Sequence, residues 1–295
     1  MTEIKSGTGS APASTTTASV VTLNGVAKRF ANGTLALDQL DLAVHGGEFV
    51  SLLGPSGCGK STVLRLIAGL TEPTSGSISW SGIPLLAFPG SPSPALARLR
   101  GRARWRSRNK PEVGFVFQEP TLMPWATVLR NVMLPLELAG VGHRLATQRA
   151  TEALERVGLA SFRDAYPREL SGGMRMRVSI ARALVTDPPL LLMDEPFAAL
   201  DEITRFKLNN DLLELWRAVG PTVIFVTHSV FESVYLSSRI IVMTPRPGRV
   251  FTELAVDAPY PRDESFRTSA EYGRHCRIAS QALSRAMAED RERQM

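Results

Sequence analysis

The stretch Gly54-Pro55-Ser56-Gly57-Cys58-Gly59-Lys60-Ser61-Thr62 carries the spacing G-x-x-x-x-G-K-[S/T]. Glycines without Cβ atoms let a backbone wrap a phosphate with its N–H donors. At this spacing Lys60 is expected to reach the outer phosphates of a nucleotide, and the Ser61 hydroxyl to ligate Mg2+. The loop follows the strand-like EFVSLLG and precedes the helix-like KSTVLRLIAGL, the setting that separates a phosphate cradle from a chance match. Downstream, LLLMDE ends a buried strand on Asp194, a second candidate ligand for the metal. Glu195 follows at once. Beside the metal it can polarise an attacking water as general base, a role typically worth about 10²–10⁴ in rate, or it can serve only as an acid at a helix start. TVIFVTH places His228 at the carboxyl end of a further strand, where open α/β sheets bind ligands, so a γ-phosphate contact is expected. Gln118, at the end of VGFVFQ, can accept from the metal's water shell and sense the γ-phosphate.

A second stretch has the same chemistry. ELSGGMRMR, from Glu169 to Arg177, puts Ser171, Gly172 and Gly173 at the start of a helix-like run. Free N–H groups and the positive end of a helix dipole make such a start a phosphate binder. One domain with one complete cradle has no evident need of another.

These residues need elements to hold them. Short, near-continuous apolar runs (LLLMD, TVIFVTH, RIIVM) read as parallel strands covered on both faces. SGSISWSG alternates and reads as an antiparallel strand, and Ala126 to about Thr186 is mostly helical. DEITRFKLNNDLLELWRAVG reads as a helix with Ile203, Phe206, Leu213 and Trp216 on one face, ended by Gly220-Pro221. The pattern is βαβ organisation around a parallel sheet with a helical block inserted. It divides the chain into a disordered Ser/Thr/Ala/Gly-rich tail over 1–19, a domain over 20–257, and a helical extension over 258–295.

The chain has 295 residues, of which 44% are hydrophobic and 21% charged, as in ordinary globular proteins. No apolar run reaches the roughly 18 residues that a membrane helix needs, and the tail has no apolar core for a secretory signal. The two cysteines, Cys58 and Cys276, form no disulfide framework, which fits a reducing cytoplasm. The net charge of +6 is local: Arg98, Arg100, Arg102, Arg104, Arg106, Arg108 and Lys110 occupy alternate positions. This basic insertion, within 84–111, is either a solvated loop or a contact for anionic headgroups, an acidic partner or nucleic acid.

Taken in order, the phosphate loop, Gln118, LSGGM, LLLMDEP, ALD and VTH resemble the ATP-binding subunit of ABC transporters, from about Gly25 to Gly248. FQEPTLMPWATVLRNV, DEPFAALDEITR and VTHSVFES are similar to the importer branch that serves nitrate, sulfonate, taurine or pyrimidine-precursor uptake. The resemblance implies an α/β P-loop NTPase fold: an ABC ATPase domain with a parallel-sheet core, an antiparallel β-subdomain and an inserted α-helical subdomain. It implies ATP and Mg2+ as cofactors and ATP hydrolysis coupled to transport. It also accounts for the second cradle. In this family two subunits pack head to tail, and Ser171, Gly172 and Gly173 of one would cover the γ-phosphate held by Gly54–Thr62 of the other. Asp201 would lie near that junction. Phe30 stands where the family stacks an aromatic on adenine, usually Tyr, although a core Phe is the alternative. Met123 and Trp125 are either exposed surface for docking membrane subunits or core of the helical block.

Implied partners are a second copy, integral membrane permease subunits and, through them, a periplasmic or extracellular solute-binding protein, with no nucleic acid. The implied location is the cytoplasmic face of the plasma membrane, held through the permease. Met176 stands where relatives usually carry Gln, and Ala198 where Gly is common; neither removes a catalytic group. A GTPase reading finds only NKPE at Asn109 to Glu112, with Glu for Asp and in the wrong place. A non-transport ABC ATPase acting on nucleic acid or protein complexes would suit the arginine run, but usually carries two cassettes or a long coiled coil.

Overall fold

The computed structural model describes residues 19–80 and 112–294, so the N-terminal tail, except its last residue, and the whole basic insertion lie outside the described residues. Hydrophobic patterning sorts the strands into two sheets. β1 (Ser19–Arg29) and β2 (Leu35–His45) mix buried and exposed positions, β4 (Ser75–Trp80) is exposed or half-buried throughout, and the three pair antiparallel in the order β2-β1-β4. By contrast, β3 (Phe49–Leu53), β6 (Leu190–Asp194) and β7 (Thr222–Thr227) are buried at every position. With β5 (Val113–Val116), β8 (Arg239–Met243) and β9 (Val250–Ala255) they form a sheet of order β5-β6-β7-β3-β8-β9, parallel except for the β8–β9 pair.

The strands are continuously apolar because both faces of this sheet are covered. Leu190, Leu192, Ile224 and Val226 pack with Val63, Leu64, Leu66 and Ile67 of α1 (Lys60–Ile67) and with the antiparallel sheet. The alternate residues Leu191, Met193, Val223 and Phe225 pack on the opposite face, against α4 (Gly172–Leu184) and α5 (Glu202–Val219). The period-2 geometry of a strand thus serves two cores at once.

The helical block between β5 and β6 consists of α2 (Val128–Leu138), α3 (His143–Arg156) and α4, around Val132, Leu136, Ala150, Leu154 and Val178. Buried Asn131 ties the preceding segment to it, accepting from the Met123 N–H at 2.7 Å and donating to the carbonyls of Met123, Ala126 and Thr127.

One expectation changes. Of the face read from the sequence, Leu213 is buried and Trp216 packs against the core beside Leu208, Leu212 and Leu215, but Ile203 is 83% exposed and Phe206 is also exposed. Phe206 instead carries the Arg267 guanidinium over its ring, 4.4 Å from the centroid. Past Pro259 the chain forms α7 (Glu264–Arg267) and then α8 (Ala270–Gln294), which lays Cys276, Ala279, Ala282 and Ala286 against Ile240 and Val242 of β8 and Val234 of α6 (Val230–Leu236).

Candidate nucleotide site

β3 is the central strand at which the order of the sheet reverses, and its carboxyl end meets the start of α1. In open α/β sheets that is where ligands bind. Gly59, at φ 107°, caps α1 in a left-handed conformation open to glycine; a Cβ there would meet the Leu37 side chain at 2.7 Å and the Ala36 carbonyl at 2.9 Å. Register brings the other groups alongside: Leu53 pairs with Thr227, and Asp194 with Val226. Loop, Asp194 and His228 therefore share one edge.

Lys60 is 4% exposed, and its Nζ donates to the carbonyls of Gly54 (2.8 Å) and Pro55 (3.0 Å). Nζ also lies 3.7 Å from Oε1 of Glu195. Ser61 Oγ donates to Asp194 Oδ1 at 2.7 Å. Burial raises the pKa of Asp194, opposed by the Ser61 hydrogen bond and assisted by the nearby Glu195 charge. Glu195 takes a left-handed backbone (φ 45°), its N–H held by the Val226 carbonyl at 3.1 Å. That turn swings its carboxylate off the strand line, at a cost of about 1–2 kcal/mol. Its Oε2 accepts from Nδ1 of His228 at 3.1 Å. One carboxylate thus bridges Lys60 and His228.

A cavity of about 330 Å³ opens beside these groups, lined by Phe30, Asn32, Thr34, Ala36, Gly57, Gly59, Lys60, Ser61, Thr62, Glu195 and Arg246. Phe30 is on its wall, 40% exposed, with Lys28 Nζ 5.5 Å from the ring centroid. It is not a core residue. Cys58 turns into the protein, and burial pushes its thiol pKa up. Gln118 is exposed just beyond β5, two residues past Val116, which pairs with Met193; it does not line the cavity.

Ser171, Gly172, Gly173 and Asp201 do not line it either. Exposed Ser171 caps α4 by accepting from the Met174 N–H at 3.2 Å. Gly173 packs so closely on α5 that a Cβ would meet the Thr204 methyl at 2.9 Å. Asp201 caps α5 by accepting from the Thr204 N–H at 2.9 Å, which lowers its pKa. Of the undecided pair, Trp125 is 77% exposed and Met123 half-buried.

Sequence reasoning missed several groups. Asn32, Thr34 and Arg246 lie in no recognised spacing. Nor did any pattern point to buried Glu232, which accepts from Thr227 Oγ1 at 2.5 Å and lies 3.8 Å from Arg205, the residue that donates to the Leu200 carbonyl. Burial raises the Glu232 pKa. The pair links the His228 turn to the Asp201 cap.

The groups present fit a nucleotide with Mg2+. The described residues contain no cluster of three His, Cys, Asp or Glu that could hold a metal. Mg2+ needs none, because it takes one or two protein oxygens and completes its shell with phosphates and water. The touching Ser61 and Asp194 oxygens are such a pair.

Comparison with known proteins agrees with this geometry. Residues 37–198 match the ABC transporter family. An uncharacterised ABC transporter ATP-binding protein of Methanocaldococcus jannaschii is 47% identical over 82% of this chain and 81% of its own. A taurine import ATP-binding protein of Burkholderia pseudomallei is 40% identical over 87% of this chain and 92% of its own. The fold superposes on a dimeric, post-hydrolysis ATP-binding cassette bound to ADP and Pi with a TM-score of 0.64, at 35% identity, covering 81% of this chain and all of that one. The chain belongs to the ABC transporter ATP-binding family and is an ABC-type ATPase.

Proposed function

We propose that this chain powers an ABC importer, binding and hydrolysing ATP as one of two identical subunits beneath a membrane permease. Similarity to a taurine import subunit supports a small anionic or zwitterionic solute of the nitrate, sulfonate or taurine kind. Among the described residues no helix is long and apolar enough to cross a membrane. On this reading the membrane-spanning path and the solute-binding protein are other chains, and the subunit sits at the cytoplasmic face.

Lys60 neutralises the outer phosphates, and the backbone N–H groups of Gly57–Thr62 cradle them. Phe30 offers its exposed ring to the base. Ser61, Asp194 and Gln118 would hold Mg2+, which would neutralise phosphate charge there. Glu195 accepts the proton of the attacking water, and His228 fixes the orientation of that carboxylate through Nδ1. A γ-phosphate on Lys60 competes with Glu195 for the ammonium, which frees the carboxylate for water.

The observation that carries the dimer is the position of the second phosphate-binding turn. Ser171-Gly172-Gly173 caps a helix at the surface, away from the cavity of its own chain. A turn of this chemistry facing outward suits the γ-phosphate of a second copy, and two-fold symmetry then closes two sites at once. A dimer glued by ATP and loosened by ADP converts hydrolysis into motion. The test is Glu195→Gln with ATP and Mg2+ on gel filtration. The variant is expected to hydrolyse at least about 10²-fold more slowly and to elute as a dimer. Elution as a monomer with ATP bound would sink the reading.

A further inference from the structure

The loop between β8 and β9, which no motif covers, is built against both the phosphate loop and β2. Arg246 donates Nε and Nη2 to the Gly57 carbonyl at 3.2 and 3.0 Å. Gly248 packs so tightly behind the loop that a Cβ would run into the Cys58 carbonyl oxygen. Its N–H donates to the Ala36 carbonyl at 2.9 Å, and its own carbonyl accepts from Asp38 N–H at 3.2 Å. Arg249 pairs with Asp38, and Thr244 closes the loop on itself by accepting from the Arg249 N–H and donating to the Pro247 carbonyl. The base side of the cavity (Ala36) and its phosphate side (Gly57) are thus clamped by one short segment.

We propose that Arg246 is a nucleotide-binding residue, placing a guanidinium on the open flank of the phosphate chain opposite Lys60. Two of its nitrogens are committed to Gly57 and fix the plane of the group. Arg246 lines the cavity with Phe30, Asn32, Thr34 and Lys60, and its Nη1 lies outside the Gly57 contact. An arginine anchored on one edge presents the other to a phosphate oxygen with little further loss of side-chain entropy, the geometry in which guanidinium outperforms ammonium. Arg246 is anchored at Gly57, whereas the γ-phosphate end is marked by Lys60 and Glu195. It therefore binds the part of the chain common to ATP and ADP. This inference rests on the assignment of the cavity to ATP.

The test is calorimetric titration of ATP and ADP into the full chain, at low and at moderate salt, for wild type, Arg246→Gln, Arg246→Lys and Lys60→Ala. Arg246→Gln is expected to weaken both nucleotides about tenfold and to flatten the salt dependence of binding. Arg246→Lys keeps the charge, so it should preserve the salt dependence while losing part of the affinity. Wild-type affinity in Arg246→Gln overturns the inference. So does equal weakening of both variants with the wild-type salt dependence, which would make Arg246 a brace of the loop and nothing more. If Lys60→Ala bound ATP as wild type does, the cavity's own assignment would fail, and the inference with it.

Discussion

Asp194 ends β6 almost fully buried, with Ser61 as its hydroxyl donor and Glu195 as its neighbour in sequence. Its raised pKa means that the folded protein binds this proton more tightly than the unfolded chain. The sign follows: ionised Asp194 opposes folding at neutral pH, and the opposition disappears as pH falls through the raised value toward the ordinary carboxylate range. Asp194→Asn should therefore raise the melting temperature of the nucleotide-free protein at pH 7.5 by a few degrees. The gain should shrink as pH approaches 4, while Mg2+-dependent ATP hydrolysis falls at least about 10²-fold. Differential scanning fluorimetry against pH and phosphate release check the two halves; a variant less stable than wild type at pH 7.5 would refute the account. At this scale the sequence was readable where spacing is local. Lys60, Ser61, Asp194, Glu195 and His228 follow strands whose ends the apolar runs mark, so their convergence was foreseeable. Arg246 and Glu232 were not, because each acts on a partner far along the chain and sits in no repeating spacing.

The strands were the most legible elements, since a parallel strand buried on both faces has an unbroken apolar centre, as LLLM in β6 and VIFV in β7 illustrate. Helix faces were less so. Ile203 and Phe206 are apolar like the core leucines of α5, and nothing in their spacing marks them as exposed. The C-terminal extension was least legible, because a cation holds it. Arg262 is 4% exposed, and its guanidinium donates to the carbonyls of Val234, Tyr235, Ser237, Val256 and Ala258. Tyr260 and Phe266 flank it at 4.2 and 5.3 Å, and burial pushes the Tyr260 hydroxyl up to about 12. Charged-donor bonds to buried carbonyls are individually strong, and unmade ones are costly. Arg262→Ala should cost about 3 kcal/mol in urea unfolding. Arg262→Lys should recover little, because one ammonium cannot span carbonyls arranged around a planar fork. A loss below about 1 kcal/mol for the alanine variant would show that the apolar face of α8 (Ala279, Ala282 and Ala286) docks the extension without it.

For the whole molecule the question is whether a site is completed within one copy or between two. Lys60 and Ser171 belong to the same chain but to different surfaces: one lines the cavity and the other caps α4 outside it. A head-to-tail pair gives each pocket the Lys60 of one copy and the Ser171 of the other. Two defective proteins can then complement. In a Glu195→Gln background, Lys60→Ala alone should not hold ATP, and Ser171→Arg alone should hold ATP without closing, so each elutes as a monomer. Mixed in equal amounts, the two types pair so that one pocket carries both lesions and the other neither. About half of random pairings are of this mixed kind, so a dimer peak should return on addition of ATP and Mg2+, with one nucleotide per dimer. A site completed within a single copy gives no such rescue, since every pocket in the mixture is then broken. Rescue that required no ATP would equally rule out nucleotide as the bridge, leaving the outward-facing turn without the role proposed for it.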